Sequence, residues 1–422
     1  MQALKIVPRL LTEQIQHSLK VDRVVALMGP RQAGKTTLAR HLLICDSPVQ
    51  HYNLKDPDVR RALLANARQE FAHYADHLII LDEVQLVPSL LELIQVHVDA
   101  RPDRKGQFLI LGSNHLLLNR QIKESLAGRV MLHKLFPLSF AEMSRVSGPS
   151  LFARLVKMRS LQQAASLIEQ SYLPVEQNAH LAASFQNFVV FGGFPEFLSR
   201  KNQQDRKNWL KSYHQTYLET DLRELVDLRN PESFERFEQL FITRVGSLLN
   251  ISELARDCGL SADTIRRFLG YYRQLFVAWP LVPGHANIGK RMMKMPKWYF
   301  TDTGLARSIA DDFRPESGIF FENTVIAELY KELSIDGMER GLCFLRSSTG
   351  VEADAVLSSQ EGRVTFFLEI KSSRFADRAD IRHLKKCVDS TPESLGILVN
   401  QTEKIVKMDR NIWSIPAHWL LC

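Results

Sequence analysis

Cysteine is scarce. The 422-residue chain has five, Cys45, Cys258, Cys343, Cys387 and Cys422, odd in number and never in C-x-x-C spacing. That pattern excludes a disulfide framework and a thiolate zinc site. No His pair has H-E-x-x-H spacing, so no zinc chemistry is expected either. No apolar run approaches the ~18–20 residues that span a bilayer. The segment Met1–Arg9 lacks a secretory apolar core or cleavage site, so a cytoplasmic chain with no membrane partner is expected. Internal repeats, low-complexity stretches and Pro/Gly/Ser-rich linkers are also lacking. Net charge is +7 and the pI near 9.1, an excess that permits a polyanionic partner without requiring one.

What remains is an ordinary folded composition, 45% hydrophobic and 24% charged, long enough for two to four domains at roughly 150 residues each. Three near-continuous apolar runs, Arg23–Met28, Leu78–Leu81 and Gln107–Leu111, suit strands covered on both faces in a parallel sheet. The first run leads into Gly29-Pro30-Arg31-Gln32-Ala33-Gly34-Lys35-Thr36-Thr37, which fits G-x-x-x-x-G-K-[ST] and is followed by a helical pattern. Glycines let backbone N–H groups curl around phosphate oxygens, and the following helix presents its positive end. Lys35 is expected on the β- and γ-phosphates and the Thr36 hydroxyl on Mg²⁺. The second run ends in Asp82-Glu83. At the carboxyl end of a parallel strand, Asp82 reaches the ligand crevice and is assigned to Mg²⁺, and Glu83 to orienting the attacking water. The third run ends in Ser113 and Asn114, either of which suits contact with the γ-phosphate or the water.

Arg129 follows, just before a further strand. Together with the loop, Asp82-Glu83 and the polar strand end, it makes the chain resemble an AAA+ ATPase core. In that family an arginine at this place often projects into a neighbouring subunit's nucleotide, a role that requires a homo-oligomer. Three further segments, Pro137–Glu142, Gly192–Glu196 and Tyr299–Leu305, resemble landmarks of a bacterial and archaeal group of such ATPases that carry a C-terminal domain of unknown function. The resemblance implies ATP binding, a helical lid and a parallel core sheet in the AAA+ strand order. One departure is Thr220, where similar proteins often have arginine; Arg223, one turn on, is the nearest replacement.

Two more patterns lie downstream. Asn250 and Glu253 have capping-box spacing, Gly259 suits a tight turn, and Ser261 can cap a second helix. This is helix-turn-helix grammar, with Arg266, Arg267 and Arg273 placed towards DNA. The segment Lys290–Tyr299 reads as a wing whose lysines contact phosphates. Near the end, Glu322 lies on an expected helix, Asp354 on an alternating strand, and Glu369-Ile370-Lys371 on another. Glu369 and Lys371 share a face because strand residues two apart do. The ordered set resembles the PD-(D/E)xK nuclease superfamily, in which Glu322, Asp354 and Glu369 would hold Mg²⁺ and Lys371 would orient the water.

The sequence therefore predicts an α/β chain with four parts. They are a P-loop AAA+ core over residues 1–145, a helical lid with linker helices over 146–235, a winged helix over 236–312 and a mixed α/β nuclease-like domain over 313–422. The expected function is an ATP- and Mg²⁺-dependent ATPase acting on or regulated by nucleic acid, DNA first, with a C-terminal nuclease. The alternative is an ATP-controlled switch or binding module whose nuclease-like fold is inactive.

Overall fold

The computed structural model describes residues 6–43, 47–113, 122, 125–146, 148–218, 231–284, 295–347 and 350–422. They form two compact units. One holds residues up to Leu138 with Phe194–Ser199 and Tyr272–Val277; the other holds Ser139–Gly193, Arg200–Tyr271 and Ala278–Cys422.

In the first unit, strands β1 (Val24–Met28), β2 (Val49–Asn53), β3 (Leu78–Asp82), β4 (Phe108–Gly112) and β5 (Val130–Lys134) form one sheet in the order β2-β3-β4-β1-β5. Every pairing is parallel. The three central strands are buried at every residue, which is why they read as unbroken apolar runs. The edge strand β2, Val49-Gln50-His51-Tyr52-Asn53, is only partly buried and has no such run. Helices α1 (Thr12–Val21), α2 (Pro57–His73) and α3 (Leu90–Asp99) belong to this unit. Asp56 starts α2 by accepting from the N–H groups of Asp58 and Val59, with Pro57 at the first helical position. Parallel pairing puts the segments after β1, β3 and β4 on one edge, since Met28 pairs with Gly112 and Asp82 with Leu111.

The second unit contains α4 (Val175–Phe191), α5 (Pro231–Ile242), α6 (Ile251–Cys258) and most of α7 (Ala262–Gln274). Asn250 caps α6, its side chain accepting from the N–H groups of Ser252 and Glu253. Gly259 ends α6 with φ +68°, and Ser261 accepts from Thr264 N–H to start α7. Phe268 of α7 packs on Phe234 and Phe237 of α5. An antiparallel hairpin follows, β6 (Ala278–Leu281) with β7 (Lys297–Phe300), and Leu248 bridges to Lys297.

Helices α8 (Thr303–Ala310) and α9 (Gly318–Ile335) lead into a six-stranded mixed sheet. Strands β8 (Cys343–Arg346), β9 (Glu352–Ser358) and β10 (Thr365–Ile370) form an antiparallel meander. Helix α10 (Arg382–Ser390) then crosses to β11 (Ser394–Asn400), parallel to β10. β12 (Val406–Asp409) and β13 (Ile412–Pro416) complete the sheet beyond β11. Leu384 and Cys387 of α10 pack on Phe367, Leu398 and Ile412.

Two of the landmark segments meet in a structural joint. Buried Asp302 accepts from Gly193 N–H at 2.8 Å and caps α8 through Leu305 N–H at 3.0 Å. A Cβ at Gly192 would stand 2.1 Å from Asp302 Oδ1, and one at Gly304 would stand 1.9 Å from the Phe191 carbonyl oxygen. The glycines are there because two backbones and a carboxylate share that space. No helix among the described residues is long and apolar enough to cross a membrane.

Candidate functional site

The Gly29–Thr37 loop leaves β1 at the carboxyl edge of the sheet. A Cβ at Gly29 would sit 2.0 Å from the Leu135 carbonyl oxygen, so this glycine is required by the neighbouring strand exit as well as by any phosphate. Gly34 has φ +97°, and Gln32 adopts φ +61° without being glycine. Arg31, Gln32 and Thr37 are at least partly exposed, whereas Pro30 and Ala33 are buried. The helix after the loop has α geometry only over Lys35–Thr37 and then widens to i→i+5 bonding over Leu38–Leu42. Lys35 is buried and folds back on its own loop, donating to the carbonyls of Gly29 and Pro30 at 2.9 Å each. Burial lowers its pKa to about 8 against the opposing pull of Glu83 and Asp82.

The structure brings the predicted partners of this lysine together. Thr36 Oγ1 donates to Asp82 Oδ2 at 2.6 Å, so a hydroxyl and a carboxylate already face each other as hard oxygen donors suited to Mg²⁺. Glu83 sits one residue on with φ +60°. Its Oε1 lies 3.0 Å from Lys55 Nζ, and its Oε2 accepts from Ser113 Oγ at 2.9 Å and from Gln85 Nε2. Burial pushes this carboxyl up, but the bonds from Gln85 and Lys55 and the charge of Lys35 bring it below the usual range. Both oxygens of Glu83 are thus engaged. Two non-glycine residues of one small site, Gln32 and Glu83, hold left-handed backbone, a strain of order 1–3 kcal/mol each that clusters at functional sites. Of the polar strand end, Ser113 is in the site; Asn114 lies outside the described residues, as do Thr220 and Arg223.

Arg129 is placed elsewhere. It precedes β5 at the amino edge of the sheet, where its carbonyl accepts from Val24 N–H. The length of β5 puts it about 17 Å along the strand from the loop edge. Its guanidinium grips Asp99 at the end of α3 through two bonds, 2.6 and 2.8 Å. It does not serve the phosphate loop of its own chain.

Several site residues carry no motif. Buried Arg9 donates to the Ala33 carbonyl at 2.7 Å and the Phe136 carbonyl at 2.6 Å, clamping the loop. Lys55 and Gln85 hold Glu83. Only their nearness to the motif in sequence hints at the last two, and nothing local marks Arg9.

In the second unit the four C-terminal candidates also converge. Lys371 Nζ lies 2.7 Å from Glu369 Oε1. Asp354 Oδ2 accepts from Ile370 N–H at 2.9 Å. Glu322 Oε1 accepts from Tyr299 Oη at 2.7 Å. Burial, then the charge of Asp354, pushes both Glu322 and Glu369 up to about 7. An unforeseen residue joins them. Lys297 Nζ lies 3.3 Å from Asp354 Oδ1 and 3.4 Å from Glu352 Oε1. The expectation that Lys297 contacts nucleic-acid phosphates is therefore corrected: it is 5% exposed and paired inward from β7 with Asp354 and Glu352. Lys290 and Lys294 lie outside the described residues. Among the described residues no group of three acids, histidines or cysteines is placed to hold a metal ion, so Glu322, Asp354 and Glu369 gather without forming a coordination shell. Arg266, Arg267 and Arg273 are exposed on α7, while Phe268 and Tyr272 are buried.

Residues 21–144 match an AAA domain family. Residues 182–316 and 317–420 match two domains of unknown function, DUF8612 and DUF4143. Uncharacterized proteins of Mycobacterium tuberculosis and Mycobacterium bovis are each 30% identical over 332 residues, covering 75% of this chain and 64% of the relative. An uncharacterized protein of Methanocaldococcus jannaschii is 23% identical over 256 residues, covering 60% and 52%. The chain thus spans less than two thirds of the length of these relatives. A DNA polymerase III gamma subunit-related protein of Thermotoga maritima aligns at 13% identity and TM-score 0.22, covering 63% of this chain and 97% of its own; at that score the likeness carries no weight for the fold. The AAA match falls on the residues that carry the phosphate loop and the five-stranded parallel sheet.

Proposed function

We propose that the chain is a Mg²⁺-dependent ATPase that acts on, or is regulated by, nucleic acid. The observation that carries the reading is the Thr36–Asp82 hydrogen bond lying beside Lys35 and Glu83 at one sheet edge. Bound Mg²⁺ supplies charge neutralisation at the β- and γ-phosphates, held by Thr36 and Asp82. Lys35 exchanges the carbonyls of Gly29 and Pro30 for phosphate oxygens. Glu83 exchanges Gln85 or Ser113 for a water and accepts its proton as that water attacks the γ-phosphorus and ADP leaves with the bridging oxygen. Arg129 serves only a neighbouring copy, and only after leaving Asp99.

Support for the nucleic-acid link is the helix–helix–hairpin order α6-α7-β6-β7, the layout of a winged helix, with three exposed arginines on α7. The order α9-β8-β9-β10-α10-β11 is that of a nuclease-like core. The buried Lys297 among its carboxylates favours the second reading, a nuclease-like fold that binds without cutting.

The test is ATP turnover by the full chain in Mg²⁺, with and without double-stranded DNA, over a salt series. Turnover abolished by Lys35→Ala and raised by DNA at low salt is expected. Turnover indifferent to Lys35→Ala overturns the site, and turnover indifferent to DNA at every salt overturns the nucleic-acid link.

A further inference from the structure

We infer that Lys297 supplies the cation of the C-terminal acidic pocket, so that its carboxylates exclude divalent metal while this lysine is seated. The inference rests on the nuclease-like layout only for choosing metal as the probe. The geometry itself comes from elements that sequence patterns assign to two different modules, since Lys297 lies on β7, ahead of α9, and the carboxylates lie on α9, β9 and β10.

Four carboxylates, Glu322, Glu352, Asp354 and Glu369, face two ammonium groups, Lys297 and Lys371. Lys297 Nζ stands between Asp354 Oδ1 at 3.3 Å and Glu352 Oε1 at 3.4 Å. It also lies over the Phe344 ring, 5.5 Å from the centroid. Three further oxygens are engaged. Asp354 Oδ2 is taken by the Ile370 N–H, Glu322 Oε1 by the Tyr299 hydroxyl and Glu369 Oε1 by Lys371. Glu369 Oε2 is buried without a hydrogen-bond partner, and Glu369 itself is 7% exposed. A carboxylate oxygen left bare in a buried pocket costs free energy unless a cation is near. For Glu369 the near cation is Lys371, while Lys297 serves Asp354 and Glu352. Mg²⁺ needs oxygen ligands at about 2.0–2.1 Å in octahedral array. An ammonium 3.3 Å from Asp354 Oδ1 occupies the space in which such a shell would form, and its positive charge repels a second cation. Removing that charge without removing volume leaves four carboxylates against Lys371 alone, a cluster that draws a divalent ion in.

The experiment is Mn²⁺ titration of the full, nucleotide-free chain, with free Mn²⁺ read by electron paramagnetic resonance. Thermal unfolding of each variant is followed alongside. The expected result is that Lys297→Met gains a Mn²⁺ site at least about tenfold tighter than any in the wild type, and that Lys297→Met with Glu369→Gln loses it. Failure of Lys297→Met to gain a site overturns the inference. Should Lys297→Met not fold, Glu369→Gln in the otherwise native chain decides: unchanged Mn²⁺ binding supports the inference, and weakened binding overturns it because the acids then hold metal with Lys297 in place. A Lys297→Met chain that gains Mn²⁺ yet cuts no DNA supports the inference while removing the nuclease reading.

Discussion

Thr36 and Asp82, 46 residues apart, are joined by a 2.6 Å hydrogen bond from hydroxyl to carboxylate. Strand register makes the bond, because β3 ends level with the exits of β4 and β1. If the pair is the metal-binding element, Thr36→Ala weakens nucleotide binding in Mg²⁺ by about tenfold or more. Binding measured in excess chelator changes little. Calorimetric titration with and without Mg²⁺ checks this difference.

Lys35 gives a pH dependence. Its pKa is lowered to about 8, chiefly by burial, so the cation that attracts phosphate is present below pH 8 and is lost above it. Nucleotide affinity is therefore expected to hold below that pKa and to fall above it, by up to about tenfold per pH unit. Binding on the alkaline side of the pKa takes up a proton, visible as a dependence of the binding heat on the buffer's ionisation enthalpy. Lys35→Met binds more weakly and shows neither effect.

Arg129 is held by Asp99 at the sheet edge opposite the loop. Arg129→Ala is expected to leave nucleotide affinity unchanged and the melting temperature nearly so. Turnover falls only at protein concentrations where copies associate. Turnover per chain measured against concentration separates this from a role within one chain, which would lower the rate at every dilution.

Asp302 is a structural carboxylate. Asp302→Ala strips two buried N–H groups, those of Gly193 and Leu305, of their acceptor. A loss of about 2–4 kcal/mol is expected, read as a lower denaturant midpoint. Nucleotide affinity at the first unit should be unaffected under conditions where the chain stays folded.

The phosphate loop is legible in the sequence because its chemistry is local. One short loop fixes glycine, lysine and threonine in order, and an apolar strand ending in Asp82-Glu83 announces its own edge. Caps at Asn250 and Ser261 are legible for the same reason. What escapes the sequence depends on contacts between distant positions. Arg9 reaches the Phe136 carbonyl across 127 positions, and no spacing rule encodes that. Lys297 reads in sequence as a surface lysine of a basic stretch, yet on β7, buried at every residue, it is paired with Asp354 and Glu352 of β9. Gly192 and Gly304 stand in segments that resemble family landmarks, and the structure gives them a packing role: they make room for Asp302 and for the Phe191 carbonyl.

The most direct test of the central claim is steady-state ATP hydrolysis by Glu83→Gln beside the wild-type chain, together with nucleotide binding by both. If Glu83 is the base that accepts the water's proton, turnover falls by about 10²-fold or more while Mg²⁺–ATP still binds, because Thr36, Asp82 and Lys35 are untouched. Wild-type turnover in Glu83→Gln would contradict the account, since the phosphate loop would then hydrolyse ATP without the carboxylate placed to activate water.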